Sequence, residues 1–345
     1  MDRLRFGIIG AGTIGTIHAQ DAKDNKRTEL VAICDIREDR AKKLARRLKV
    51  KATYTDYLDM LAKEDLDAVV NGTPNYLHAQ IAIDALNSGV NVLTEKPMAM
   101  DAQEAQSMVD AAKRTGRVLC LGMTQRYTAQ GRVAKAAATP ENLGEIYFAK
   151  ATLYRTMGIP GMGSWFTIKA QSGGGPLMDL GPHAIDFAMY LMGFPKPLRT
   201  KGLFFSKLGP KGRGVGTWGY AEKGGAFDVE DLCVALVELE RDIAMLIEVS
   251  WATYIDEFWN VNVLGDKAGI SFRPPKIVTE SKGKARHIKL RMKAVKPYMA
   301  ELEDFVDCIK TGKEPIGRPE DGIVIMRIID AIRRSAGSGQ IELVE

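Results

Sequence analysis

Leu4-Arg5-Phe6-Gly7-Ile8-Ile9-Gly10-Ala11-Gly12-Thr13-Ile14-Gly15 is the stretch from which the rest of the chain can be read. Leu4 to Ile9 form a short apolar run that reads as a strand, and the glycines that follow stand in the order GxGxxG. Each glycine has its own task in such a turn. Gly10 permits the tight bend, Gly12 lets the backbone approach a pyrophosphate, and Gly15 lets strand and helix pack closely. The helix that opens at Thr13 and Ile14 presents unpaired N–H groups and a positive dipole end to phosphates. Asp35 closes the second apolar run, twenty residues beyond Gly15. That is the spacing of an acid that accepts hydrogen bonds from an adenosine ribose. A carboxylate there repels a 2′-phosphate, so NAD is favoured. Arg37 and Arg40 follow closely and partly offset the repulsion, which keeps NADP as the alternative.

Outward from this loop the pattern repeats. Apolar runs at 30–34, 68–70, 90–93 and 118–121 are short, mostly rich in Val, Ile and Leu, and bounded by turn residues. That suits strands covered on both faces. Helix-like segments at 14–23, 37–48, 78–88 and 102–114 separate them, with Asp101 as an N-cap and Gly89 and Gly116 as C-caps. Strand and helix in alternation predict a doubly wound parallel sheet, a Rossmann domain over residues 1–122. After residue 123 the period changes to two, in Leu232-Val234-Leu236, Ala244-Leu246-Glu248 and Val261-Val263. Turn signals such as Glu240-Arg241-Asp242 lie between these runs. This predicts an α+β domain over 123–345 built on a large open antiparallel sheet, with one helix from Pro182 to Met192. Two closing helices, within about 298–336, are expected to pack back toward the first domain.

Composition narrows the function. With 345 residues, 46% hydrophobic and 26% charged, the chain reads as two globular domains. A net charge of +5 does not mark a nucleic-acid binder. The basic run 282–296 alternates charges with Ile288, Leu290 and Met292, as an amphipathic strand with a solvated face does. Four scattered cysteines and four scattered histidines spell neither a disulfide framework nor a metal site. No apolar run is long enough to span a bilayer. The residues around Met1 lack a signal-peptide pattern, and a cytoplasmic location is expected.

Three further segments fall where strands end: Thr73-Pro74-Asn75-Tyr76-Leu77-His78, Glu95-Lys96-Pro97 and Gln125-Arg126-Tyr127. In an open parallel sheet the carboxyl ends of the strands line the ligand crevice. Thr73, Pro74, Asn75, His78 and Glu95 are therefore expected on the cofactor side with Gly10, Gly12, Thr13, Ile14, Gly15, Asp35, Arg40 and Lys96. Together with Gly173-Gly174-Gly175-Pro176-Leu177-Met178-Asp179-Leu180-Gly181-Pro182-His183, this set resembles the glucose–fructose oxidoreductase/inositol dehydrogenase family, Gfo/Idh/MocA. The resemblance implies a catalytic set of Lys96, Asp179 and His183, and a cis peptide before Pro97. It also implies dimers or tetramers formed through the second domain's sheet.

The chemistry asks for such residues. Moving a hydride from a secondary alcohol to nicotinamide requires loss of the hydroxyl proton, hence a base within hydrogen-bond reach. His183 suits that role. Asp179, expected in the loop before the helix, can orient the imidazole or bind the sugar hydroxyl. Lys96 puts a cation beside the oxygen that gains charge. Arg126, Tyr127, Arg155 and Trp165 are expected near the substrate, Trp165 as a face for a sugar ring. His18 is expected to pack near the glycine loop and Asp186 to be structural. The implied activity is NAD-dependent interconversion of a ring alcohol of a sugar, glycoside or cyclitol with its ketone. The alternatives are redox-neutral cleavage or elimination through a transient 3-keto sugar, and a dinucleotide-sensing regulator without catalysis.

Overall fold

Runs of three to seven residues, too short for buried helices, become the strands of the first sheet. The computed structural model describes residues 3–345. The chain divides into two units: the residues up to Tyr127 with Lys296–Ile323, and Thr128–Val295 with Val324–Glu345. The first unit carries β1 (Leu4–Ile9), β2 (Thr28–Cys34), β3 (Ala52–Tyr54), β4 (Ala68–Asn71), β5 (Asn91–Glu95) and β6 (Leu119–Gly122). They pair in parallel in the order β3-β2-β1-β4-β5-β6. The order reverses between β1 and β4, and that is where a ligand crevice opens in such a sheet.

The connecting helices are α1 (Thr13–Asp24), α2 (Glu38–Leu48), α3 (Tyr57–Lys63), α4 (His78–Asn87) and α5 (Ala102–Thr115). Asp101 caps α5 by accepting from the Glu104 N–H, and Gly116 ends it in the left-handed region. β3 and α3 were not expected from the sequence, because three residues at a sheet edge leave too little periodicity to read. The core of this unit gathers Phe6, Ile8, Ile33, Val70 and Leu93. The helix Pro297–Thr311 closes it with Leu302, Phe305 and Val306, and Phe305 meets Phe6 edge-on at 6.0 Å.

The second unit begins with α6 (Ala129–Ala137) and α7 (Pro140–Leu143), followed by β7 (Ile146–Tyr154), α8 (Lys169–Ser172), α9 (Pro176–Asp179) and α10 (Gly181–Met192). Then come β8 (Pro197–Phe205), β9 (Leu232–Leu239), β10 (Ile243–Ser250), β11 (Phe258–Gly265), β12 (Ala268–Ser271), β13 (Lys276–Ser281) and β14 (Lys284–Lys289). α11 is the Pro297–Thr311 helix already placed in the first unit; α12 (Pro319–Ser338) and β15 (Glu342–Leu343) end the chain. The nine strands run β14-β13-β12-β11-β7-β10-β9-β8-β15. The pairing is antiparallel except at the centre, where β10 lies parallel to β7 with Ala244 opposite Phe148. Alternation set the strands but could not reveal that parallel pair.

α10 covers one face of this sheet, over Ala149, Ala151, Met245 and Ile247, all buried. On the opposite parity Leu203, Phe205 and Leu236 are 39–50% exposed. The basic run is a strand only over β14, entered by a tight turn in which Lys282 and Gly283 both take positive φ. His287 is exposed on that strand.

Candidate active site

β1 delivers the glycine loop. Gly10 sits at φ +94°, and a Cβ there would lie 2.6 Å from the Gly72 carbonyl oxygen. A Cβ on Gly15 would lie 1.8 Å from the Gly10 carbonyl oxygen, so the loop cannot close over any other residue. At Gly12 a Cβ would meet nothing within 4 Å. Gly12 is the N-cap of α1, and no side chain caps the helix there. The start of α1, with Thr13 and Ile14, therefore keeps its amides for an anion. Asp35 sits beside the same loop. Its Oδ2 accepts from the Ala11 N–H at 2.7 Å and its Oδ1 from the Arg37 N–H at 2.9 Å. These two bonds aim the carboxylate and leave lone pairs for ribose hydroxyls. Arg37 pairs with Asp39 at 3.2 Å, and Arg40 is half-buried in the first turn of α2. An open pyrophosphate cradle and an aimed acid fit NAD.

The ends of β4 and β5 are tied together by His78. Its Nδ1 lies 2.7 Å from the Pro97 carbonyl and its Nε2 2.9 Å from the Thr73 carbonyl. Burial pushes this imidazole down, outweighing the two carbonyls, so it is held neutral and donates to one carbonyl at a time. His78 thus braces the segments that carry Thr73, Pro74, Asn75 and Lys96. Thr73 also donates to the Asn71 side chain at 2.7 Å. The Lys96–Pro97 peptide is cis. Glu95, expected on the cofactor side, is 6% exposed and directs its carboxylate inward, with Oε1 2.8 Å from His18 Nε2. His18 therefore hydrogen-bonds to Glu95 as well as packing.

Arg126 and Tyr127, expected beside the substrate, are engaged within the first unit. Arg126 is 2% exposed and binds Asp321 at 2.8 Å, and it donates to the Ile316 carbonyl. The Tyr127 hydroxyl donates to Asp304 at 2.8 Å and its ring is fully buried. Their polar ends hold the turn after β6 against the α11–α12 segment.

In the second unit Asp179 ends the short helix α9, instead of lying in a loop as expected. It is 7% exposed. Trp251 donates its indole N–H to Asp179 Oδ2 at 2.9 Å, and the Arg155 guanidinium lies 3.6 Å from the same oxygen. His183 is the third residue of α10, its ring 6.1 Å from that of Trp259. Gly173–Gly175 let the backbone wrap Glu230, and a Cβ on Gly175 would lie 1.9 Å from the Glu230 carbonyl oxygen. Glu230 Oε1 accepts from the Leu177 N–H at 3.1 Å, and burial pushes its carboxyl up. Trp165 stacks on Phe166 at 3.7 Å, and Phe166 meets Trp218 edge-on at 4.9 Å. Asp186 is buried in α10.

Sequence reasoning missed Trp251, Glu230 and the second role of His18. Trp251 reads as a core aromatic at the end of a strand. Only its indole N–H, which must find a partner once buried, gave a signal, and that signal does not name the partner.

The comparisons agree with this geometry. Residues 4–123 match the model of an oxidoreductase family with an NAD-binding Rossmann fold, and residues 135–344 match that family's C-terminal alpha/beta domain. The chain belongs to the Gfo/Idh/MocA oxidoreductase family. A D-glucoside 3-dehydrogenase of Escherichia coli (strain K12) is 33% identical over 99% of this chain and 97% of its own. A myo-inositol 2-dehydrogenase of Thermotoga maritima is 25% identical over 96% of each chain. GenD2 from gentamicin A biosynthesis, solved in complex with NAD, superposes with a TM-score of 0.82 at 26% identity, covering 100% of this chain and 97% of that one. As in the rest of the Gfo/Idh/MocA family, the first unit is the NAD-binding domain. Among the described residues no helix is long and apolar enough to cross a membrane.

Proposed function

We propose that this member of the family interconverts a ring secondary alcohol of a sugar, glycoside or cyclitol with its ketone. NAD, when bound, takes up or returns the hydride at nicotinamide C4. His183 holds the hydroxyl proton that leaves as the hydride moves. Asp179, aimed by the Trp251 indole and Arg155, orients the alcohol or the imidazole. Lys96 carries its ammonium on a turn braced by His78 and Glu95, and stabilises charge growing on the carbonyl oxygen. Arg155 and Trp165 remain the substrate-side residues.

The observation that carries this reading is the braced Lys96 turn at the end of β5, on a chain one third identical to a glucoside dehydrogenase over nearly its whole length. Four buried free cysteines suit a reducing, cytoplasmic setting. Leu203, Phe205 and Leu236 on the outer face of the large sheet supply apolar area for a homodimer or homotetramer.

The test is turnover of glucosides, free aldoses and cyclitols with NAD, followed by the absorbance of the reduced nicotinamide. Lys96→Ala and His183→Ala are each expected to lower kcat by about 10³-fold, within the range for a lost proton-transfer group. NAD affinity is expected to change by less than about threefold. Wild-type turnover in both variants overturns the mechanism. Product formed without stoichiometric reduced cofactor would instead identify the redox-neutral route.

A further inference from the structure

Behind the Lys96 turn lies a group of ionisable side chains that the proposed chemistry leaves unused. His18 comes from α1, Glu95 from the end of β5 and Glu301 from α11. Their exposures are 1%, 6% and 0%, and the possible ligand atoms of the three all lie within 4.8 Å of one another. Glu95 is shared between two contacts. Oε1 faces His18 Nε2 at 2.8 Å, and Oε2 accepts from the Lys96 backbone N–H at 3.2 Å. Glu301 is held by one oxygen only, Oε2, which accepts from the Thr124 hydroxyl at 3.4 Å. Its Oε1 is buried with no hydrogen-bond partner among the described residues, and so is His18 Nδ1. The Tyr298 ring closes the pocket edge-on to His18 at 5.4 Å.

Two carboxyl groups in one dry pocket cannot both ionise cheaply. The surroundings decide which one does. Burial pushes Glu95 up, but the hydrogen bond and charge of His18, with Lys96, outweigh it and hold Glu95 below the usual range. Burial pushes Glu301 well up, and the Glu95 charge adds to the push. The other ionisable neighbours do not reverse this. From α1, Asp21 faces His18 and Lys296. From α11, Asp304 already binds Lys313 at 2.9 Å, and Tyr298 is pushed up, chiefly by burial. From β6, Cys120 is a buried thiol held protonated. Burial and the Glu95 charge thus both oppose ionisation of Glu301, whereas His18 and Lys96 favour that of Glu95.

We propose that His18, bonded to Glu95, and Glu301, packed within 4.8 Å of it, are positioning residues for Lys96: they hold the Glu95 carboxylate in the orientation that clamps the Lys96 backbone N–H. This rests on the role given to Lys96 above. A second charge on Glu301, within 4.8 Å of Glu95, would set two anions together behind the turn and weaken the clamp.

The test reads the turn directly and the reaction separately. With ¹⁵N-lysine in the NAD-loaded protein, the Lys96 amide is assigned by its loss in Lys96→Arg and followed as pH rises. The wild-type resonance is expected to shift on the alkaline side, and infrared spectra are expected to keep a protonated-carboxyl band at neutral pH. Glu301→Gln, an uncharged isostere, is expected to abolish the shift and to weaken the band. In turnover, Glu301→Ala and His18→Gln are expected to lose about tenfold in kcat with little change in KM for NAD. Glu301→Gln is expected to restore kcat and carry its alkaline limb to higher pH by a unit or more. A Lys96 amide that ignores pH, or an alkaline limb identical in wild type and Glu301→Gln, overturns the proposal. So does stoichiometric divalent metal in the purified protein, which would make the three residues ligands. If Lys96→Ala turns over normally while the amide behaves as described, it is the role of Lys96 that fails, and the clamp stands.

Discussion

Asp179 shows how one residue's environment sets its use. A carboxylate that is 7% exposed would pay heavily for its charge unless donors met it, and Trp251 supplies one at 2.9 Å. Trp251→Phe keeps the ring and removes only the donor. A hydrogen bond to a charged group contributes about 1.5–3 kcal/mol. The variant is expected to lose about 1–2 kcal/mol of stability in urea titration and about tenfold in kcat, as the carboxylate swings toward Arg155. Unchanged kcat would mean that Asp179 is aimed by something else. Asp179, Lys96 and His183 stand out in the sequence because each sits in a local motif whose spacing is short. Trp251 was not, because it stands 72 residues from the carboxylate it serves. The partners of Arg126 and Tyr127 were hidden for the same reason: Asp321 and Asp304, which bind them, lie more than 170 residues on.

At the scale of elements, the strand–loop–helix unit at residues 4–24 was readable in full, since every feature lies within one turn of the next. Its tolerance is correspondingly low. In Gly15→Ala the new Cβ meets a backbone carbonyl at 1.8 Å, and a carbonyl cannot rotate away as a flexible side chain would. The variant is expected to be destabilised by about 1–3 kcal/mol or more, as overpacked cores are, and to bind NAD at least tenfold more weakly. Thermal melting and calorimetric titration check the two halves, and a variant that binds NAD normally would show that strand and helix can part without harm to the cradle. The strands of the second sheet were readable one at a time from their alternation. Their partners were not, because a period of two states which face is buried and says nothing of which neighbour lies alongside. The parallel pairing of β10 with β7 is the case in point.

Over the whole molecule the four thiols report on packing. Cys34, Cys120, Cys233 and Cys308 are buried, and burial pushes every one of them up, Cys34 and Cys308 to about 12. Only a thiolate attacks a disulfide reagent. The native protein is therefore expected to give almost no reaction with such a reagent at pH 8, and to give four thiols once denatured. Rapid stoichiometric labelling of the native protein at any of them would show that its surroundings open far more readily than the packing implies. Three of the thiols, Cys34, Cys120 and Cys308, lie in the first unit and Cys233 lies in the second, so partial labelling along a denaturant series also tells whether the units melt together.

The place of β7 also bears on how the chain is made. This strand leaves the ribosome early, yet the neighbour that flanks it on one side, β10, follows only about ninety residues later, and β11 on the other side later still. The middle of the great sheet thus stays open until β11 is made, and the nascent chain must shelter an unpaired, mostly apolar ribbon throughout that interval.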